Sequence, residues 1–310
     1  MTSLYPVYVP KLLSRDEHFV SGRRSCKGCG KALSVRMVCK MMGKEAVVSA
    51  PVAFRGRAAG CLPAGMGSPW DELTSGGQAL SCADRLLSAG KPMPDAPGAR
   101  RKINKAVIGL DMRVFTKDPL MLDRVVKGNR DALYICYDSE MYMDGLIKKT
   151  IPDLFGHESP HLPGRQELRN LIRYKNIPLP VLESSLSYVA TACPSHPLDL
   201  LCKIRKGLRA RGTSFIGVLT PCPTTWLFNP ELTVRMGVMA VETGFYPLME
   251  RESGSASRIT EPVARLRPLA DYFMAQHRYV AFPRQLIDLM GEMVSEEYAG
   301  LAGRARGKDA

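Results

Sequence analysis

Short apolar runs recur along the chain, each ending in polar, glycine or proline positions, with helix-period segments between them. The sharpest run is 133–137, Leu-Tyr-Ile-Cys-Tyr, which turns polar at Asp138-Ser139-Glu140. Its length and its aromatic and β-branched content predict a buried strand. Residues 106–110 make a second strand that ends at Asp111, and 188–192 and 214–220 make two more, with a short one over 45–50. The spacing predicts helices over 30–43, 166–174, 198–211 and 230–243, and another near 180–185. In the first, Leu33, Met37 and Met41 share one face, with Val35, Val38 and Met42 beside them, and Gly43 ends it. A methionine stripe of this kind is core packing rather than a ligand set. In the helix over 198–211, Leu198, Leu200, Leu201, Ile204 and Leu208 face inward, and Lys203, Arg205, Lys206, Arg209 and Arg211 make the opposite, basic face. Strand, helix and strand follow one another at least three times, which predicts an α/β fold: a mostly parallel sheet with helices on both faces.

Glycine and proline divide the chain. Residues 1–22, broken by Pro6 and Pro10, read as an extended arm. Residues 23–252 carry the α/β pattern and form the main domain. Ser/Gly-rich residues 253–257 read as a hinge into a helical extension over 253–310. Seven glycines and six prolines between Pro51 and Pro97 predict long loops there, with one helix near 77–89. Another loop is expected over 146–165; it holds His157 and His161, to which no role is assigned.

Composition narrows the function classes. Apolar content of 45% and charged content of 24% are those of an ordinary globular protein. The net charge of +13 favours acidic partners. Zinc-finger spacing, an RNP motif and a compact Lys/Arg block are all missing, which argues against nucleic acid. The N-terminus has no apolar leader and no window reaches the ~18 uninterrupted apolar residues of a membrane span, so a cytoplasmic protein is expected. Nine cysteines in such a protein point to metal binding or burial rather than to disulfides.

Two sets of residues carry candidate chemistry. Asp111 and Ser139, 28 positions apart, end two strands whose spacing allows a parallel pair with a crossover helix. A carboxylate and a hydroxyl at neighbouring strand ends could hold Mg²⁺ on a diphosphate, since hard cations take oxygen ligands. The competing reading of an Asp after a strand is a helix cap. The second set starts with Cys26-Lys-Gly-Cys29, two thiols on a glycine turn that suit zinc, an iron–sulfur cluster, a redox dithiol or nothing at all. Cys61 and Cys222 lie in other Gly/Pro turns.

Five motifs then occur in order: Arg24-Ser-Cys-Lys-Gly-Cys-Gly30, Leu133-Tyr-Ile-Cys-Tyr-Asp138 with Glu140 and Tyr142, Tyr188-Val-Ala-Thr-Ala192, Thr220-Pro-Cys-Pro-Thr-Thr-Trp226 and Ala240-Val-Glu-Thr-Gly-Phe-Tyr-Pro247. Together they resemble the β subunit of the 2-oxoacid:ferredoxin oxidoreductases, of the pyruvate:ferredoxin oxidoreductase (pyruvate synthase) type. The resemblance implies a thiamine diphosphate-binding α/β domain. It implies that one [4Fe-4S] cluster is held by Cys26, Cys29, Cys222 and a third-position cysteine. Counting without a gap puts Phe54 at that third position, whereas a short insertion puts Cys61 there; four thiolates are the usual set, which favours Cys61.

The resemblance also implies that Asp111 and Ser139 bind Mg²⁺ with the backbone carbonyl of Met141. Met112 and Arg113 stand beside the diphosphate, and Asp144 takes the place of the family's active-site Asn. The family has Gly-Asp-Gly-Gly where this chain has Leu110-Asp111-Met112-Arg113, so side chains crowd a place where glycines let backbone approach the diphosphate. Arg113 is expected to compensate by pairing with that diphosphate. In the implied reaction the thiamine ylide attacks a 2-oxoacid, CO₂ leaves, electrons pass singly through clusters to ferredoxin, and coenzyme A takes the acyl group. The glutamate that activates thiamine belongs to another subunit, so α-, γ- and δ-type partner subunits are expected. The alternative expectation is a degenerate subunit that keeps fold and cluster, serves assembly or electron relay, and binds no thiamine.

Overall fold

The computed structural model describes residues 26–42, 48–49, 106–111, 120–128, 130–150, 163–175 and 185–306. Seven strands form one sheet: β1 (Val48–Ser49), β2 (Ala106–Asp111), β3 (Ala132–Asp138), β4 (Tyr188–Ala192), β5 (Ser214–Leu219), β6 (Met249–Glu252) and β7 (Arg258–Ile259). Their order is β1-β2-β3-β5-β4-β6-β7. The first five are parallel to their neighbours, and β6 and β7 add an antiparallel edge beside β4. The α/β sheet expected from the sequence is therefore the one the chain forms. β3 lies inside it, between β2 and β5, with all seven residues buried, as a parallel strand covered on both faces must be.

Alternation sorts the side chains. On one face Leu133, Ile135 and Tyr137 of β3 meet Val35 and Val38 of the Gly30–Met42 helix and Leu200 and Ile204 of the Pro197–Arg209 helix. The first of these helices buries Val35, Val38 and Cys39, while Leu33, Met37 and Met41 are only partly covered. The methionine stripe is thus the margin of the buried face rather than its centre. The helix after β3 runs from Met141 to Thr150, so the loop expected from 146 onward begins at least one turn later. The expected loops and helix within 51–105, the arm over 1–22, most of the helix near 180–185, and His157 and His161 lie outside the described residues.

One residue of the predicted basic face is not on the surface. Lys203 is buried, with its ammonium bonded to Asp199 Oδ2 at 2.7 Å, to the Thr191 carbonyl at 2.8 Å and to Thr260 Oγ1 at 2.7 Å. Burial works against its charge and lowers its pKa, and Asp199 works the other way. The site ties the Pro197–Arg209 helix to β4 and to the segment after β7. Lys203→Met leaves Asp199 charged and unpaired, and a buried pair broken this way costs about 3–5 kcal/mol. The double variant Lys203→Met/Asp199→Leu should recover most of that loss in denaturant unfolding. Equal unfolding midpoints for the wild type and Lys203→Met would contradict the reading.

The hinge expected at 253–257 is the turn between β6 and β7, which pair through Met249 and Ile259. The helices that follow, Leu269–Met274 and Arg284–Arg306, pack on the second face of the sheet. Tyr272, Phe273, Ile287, Met290 and Val294 share one buried cluster with Trp226, Phe245 and Leu219. The aromatic rings interlock there: Phe273 stacks on Tyr279 with centroids 4.3 Å apart, and Trp226 meets the edge of Tyr272 at 6.1 Å.

Candidate functional site

The five parallel strands direct their carboxyl ends to one edge of the sheet, where ligands bind in open α/β folds. Register puts Asp111 of β2 opposite Tyr137 of β3, and Asp138 opposite Leu219 of β5. Neighbouring strands lie about 4.8 Å apart, so Asp111 ends its strand beside Tyr137, two residues before Ser139 on the adjacent strand. Ser139 is half-buried, and its carbonyl accepts a hydrogen bond from Trp226 Nε1 at 2.7 Å. Its hydroxyl bonds to none of the described side chains. Met141 opens the helix that follows, and the positive end of a helix dipole favours an anion at the same edge. The side chains of Asp111 and Met141, and all of Met112 and Arg113, lie outside the described residues. Carboxylate and hydroxyl oxygens from two adjacent strand ends are the donor set that Mg²⁺ takes, so these positions fit a metal–diphosphate.

The cysteines occupy a second corner of the same edge. The Cys26–Cys29 turn is clamped onto the segment after β5: Gly30 N–H donates to the Pro221 carbonyl at 3.1 Å, and Thr233 Oγ1 donates to the Gly28 carbonyl at 2.6 Å. Cys222 follows Pro221 and precedes the short Pro223–Trp226 helix. Burial pushes the Cys29 thiol up, N–H groups of Ala32 and Lys31 pull it down, and nearby Cys222 raises it further. Cys29 and Cys222 are thus neighbours, each half-buried, and Cys26 is exposed three positions before Cys29. Cys61 lies outside the described residues, and among the described residues no group of three or more His, Cys, Asp or Glu is arranged to hold a metal ion. Cys26, Cys29 and Cys222 are therefore not gathered as a three-thiol set in this structure; the chemistry of the corner, thiols on a glycine turn and a thiol between two prolines, is that of thiolate ligands.

Two glycines make the clamp possible. Gly28 has φ +66°, and a Cβ there would meet the Pro230 carbonyl oxygen at 2.3 Å; a Cβ on Gly30 would meet the Pro221 carbonyl oxygen at 2.6 Å. Gly28→Ala is therefore strained in both backbone and contact, at about 1–3 kcal/mol for the backbone alone. It should lower the unfolding temperature measurably, whereas Gly164→Ala, with open space around it, should not.

Between the two corners lies a buried polar network that the sequence did not announce. Glu140, wholly buried and at φ +54°, receives Tyr272 Oη on Oε1 at 3.0 Å and Arg278 Nη2 on Oε2 at 2.5 Å. Arg278 Nε donates to Gln276 Oε1 at 2.8 Å. Its guanidinium carbon lies 4.8 Å from the Trp226 ring centre and 4.7 Å from that of Tyr279. Asp144, in the first turn of the Met141–Thr150 helix, is 3.7 Å from Arg278 Nη1. Burial opposes the charge on Arg278, but Tyr279, Glu140 and Tyr272 outweigh it and raise its pKa. Burial, with the Glu140 charge, pushes the Tyr272 hydroxyl well above its ordinary value.

A third constellation invites a nucleophile reading and does not sustain it. Ser195 Oγ lies 3.0 Å from Cys193 Sγ and 2.9 Å from His196 Nδ1. Cys193 is wholly buried and its thiol is pushed up to about 11 by that burial, which keeps it protonated and inert.

No family model matches the chain. It is similar to pyruvate synthase subunit PorB of Methanocaldococcus jannaschii, with 33% identity over 294 residues, 91% of this chain and 96% of that protein. It is also similar to PorB of Methanothermobacter marburgensis, at 30% over 280 residues covering 86% and 91%. Ketoisovalerate oxidoreductase subunit VorB of Pyrococcus abyssi matches at 26% over 306 residues, 92% of this chain and 93% of that one. A 2-oxoglutarate:ferredoxin oxidoreductase chain from Magnetococcus marinus aligns over 69% of this chain and 70% of its own, at 15% identity and a TM-score of 0.36, too loose a superposition to carry weight.

Proposed function

We infer the function from kinship as a premise: the chain belongs to the family of 2-oxoacid:ferredoxin oxidoreductase β subunits that includes pyruvate synthase subunit PorB. It is a subunit of such an oxidoreductase complex. The finer reading is a catalytic subunit of the pyruvate type, since its PorB relatives reach 33% and 30% identity and the VorB relative 26%. Its cofactors on this reading are thiamine diphosphate, Mg²⁺ and one [4Fe-4S] cluster; its partners are the other subunits and ferredoxin; its substrates are a 2-oxoacid and coenzyme A. No described helix is long and apolar enough to cross a membrane.

The observation that carries this reading is the register of β2 on β3, which sets Asp111 beside the strand end that leads to Ser139. Asp111 and Ser139 would hold Mg²⁺ with the Met141 carbonyl, and Met112 and Arg113 would flank the diphosphate. Cys26, Cys29, Cys61 and Cys222 would hold the cluster. When bound, thiamine diphosphate supplies the carbon nucleophile for the 2-oxoacid, and the cluster takes the electrons one at a time. The chain's own work is to bind and orient these groups and keep water from them. Asp144 would stand at the substrate edge, where Arg278 balances its charge.

A second reading has a specific feature in its favour: Met112 and Arg113 carry side chains where the resemblance calls for glycine. On that reading the subunit keeps the cluster and relays electrons without thiamine. Salt dependence tests the partner assignment separately. The net charge of +13 predicts that electron transfer to an acidic ferredoxin slows as ionic strength rises from ~0.01 to ~0.1 M, where the screening length falls from ~30 to ~10 Å. A rate independent of salt would speak against electrostatic docking.

A further inference from the structure

We propose that Arg278 is a positioning residue for the cofactor site: it holds Ser139-Glu140-Met141 in its binding form and offsets the charge of Asp144. The proposal rests on the reading above that Asp111 and Ser139 take the metal–diphosphate. It assigns to the C-terminal part of the chain a role in a site whose motifs all lie upstream.

The argument starts from backbone. Glu140 is one of two described non-glycine residues in the left-handed region, where a side chain beyond Asn, Asp or Gly is unfavourable. Such a conformation persists only where its surroundings hold it. Here they hold both carboxylate oxygens, one through Tyr272 and one through Arg278, and Arg278 Nη1 reaches the Glu140 carbonyl at 3.4 Å. The turn at Glu140 sends its carboxylate into the core and leaves Ser139, half-buried, at the strand-end edge. Trp226, which lies against the Arg278 guanidinium, fixes the Ser139 carbonyl through its indole N–H. Arg278 is itself fixed by Gln276 and covered by Tyr279. Arg278 thus holds the Glu140 side chain while Asp138 Oδ1 accepts the Glu140 N–H at 2.7 Å, and together they set the geometry of the residues on either side.

Charge gives the second half. Glu140 and Asp144 both face Arg278. A diphosphate bound at the adjoining strand ends would add further negative charge at that edge. Arg278 places its positive charge beside both carboxylates, and its removal takes that charge from beside the anion. A lysine could supply the charge but not the planar fork that reaches Glu140 and Gln276 together.

The test uses the whole complex, purified without oxygen, and reads Mg²⁺-dependent thiamine diphosphate binding by calorimetry alongside iron content. Arg278→Gln should weaken binding at least tenfold with iron content unchanged. Adding Asp144→Asn, at a residue about a third exposed, should restore a large part of the affinity, which a purely structural role for Arg278 would not allow. If Arg278→Gln does not assemble, Arg278→Lys takes its place; it keeps the charge and loses the fork, so binding should fall several-fold. Wild-type affinity in whichever variant assembles, or a loss in Arg278→Gln that Asp144→Asn leaves untouched, overturns the proposal. Wild-type complex that binds no thiamine diphosphate overturns instead the site reading on which it rests.

Discussion

Cys222→Ser should bleach the protein. Purified without oxygen, the wild-type complex is expected to be brown, with the broad visible absorption of a [4Fe-4S] cluster, and the variant to lose most of its iron. The physical reason is the ligand: a serine oxygen is a poor substitute for a soft thiolate on iron. Backbone geometry fixes where Cys222 sits. It stands between Pro221 and Pro223 with extended backbone, φ −118° and ψ 101°, and Pro221 accepts the N–H of Gly30 at the end of the cysteine turn. Cys26→Ser and Cys29→Ser should behave alike, and Cys61→Ser tests the fourth ligand. Cys136, buried within β3, is the control: Cys136→Ser should keep its iron. Stoichiometric zinc in place of iron, or an unchanged spectrum in Cys222→Ser, would contradict the assignment.

The second large effect belongs to Asp111. Asp111→Ala should abolish Mg²⁺-dependent thiamine diphosphate binding and 2-oxoacid-dependent reduction of ferredoxin, while the visible spectrum of the cluster stays. The loss should exceed the ~10–100-fold typical of an outer-shell partner, because a direct charged ligand is removed. The fold should tolerate the change: Asp111 ends its strand, and β2 pairs along its whole length through backbone. Loss of the cluster together with thiamine binding would instead mean that Asp111 serves the fold.

Much of the fold was legible because its signals are local. The runs at 133–137, 188–192 and 214–220 are short, apolar and bounded by turn residues, and they became β3, β4 and β5. The parallel arrangement followed from helices between strands. Lys203 departs from its predicted face because periodicity assigns faces by residue type. A lysine four positions from Asp199 on the same helix can be buried once Thr191 and Thr260, distant in sequence, supply the remaining acceptors. The turn at 253–257 was read as a hinge because composition marks a bend without saying that the strands on either side pair.

The candidate site was legible in its motifs and not in its supports. Cys26, Cys29 and Cys222 stand in recognisable turns, and Asp111 and Ser139 follow recognisable strands. Arg278 gave no such signal. It lies in Gln276-His-Arg-Tyr279, an unremarkable polar stretch, and its partner Glu140 is 138 positions away. The clue in the sequence was Glu140 itself, an acid two residues past a fully buried strand, whose burial needs a cation from elsewhere in the chain.

The central claim is that this subunit is catalytic and binds thiamine diphosphate, and the direct measurement is the cofactor content and turnover of the assembled complex. Purified without oxygen and saturated with Mg²⁺ and thiamine diphosphate, it should retain the cofactor in proportion to this subunit and reduce ferredoxin when pyruvate and coenzyme A are added. A complex that carries its iron–sulfur cluster yet binds no thiamine diphosphate and turns over no 2-oxoacid would contradict the claim and leave the electron-relay reading in its place.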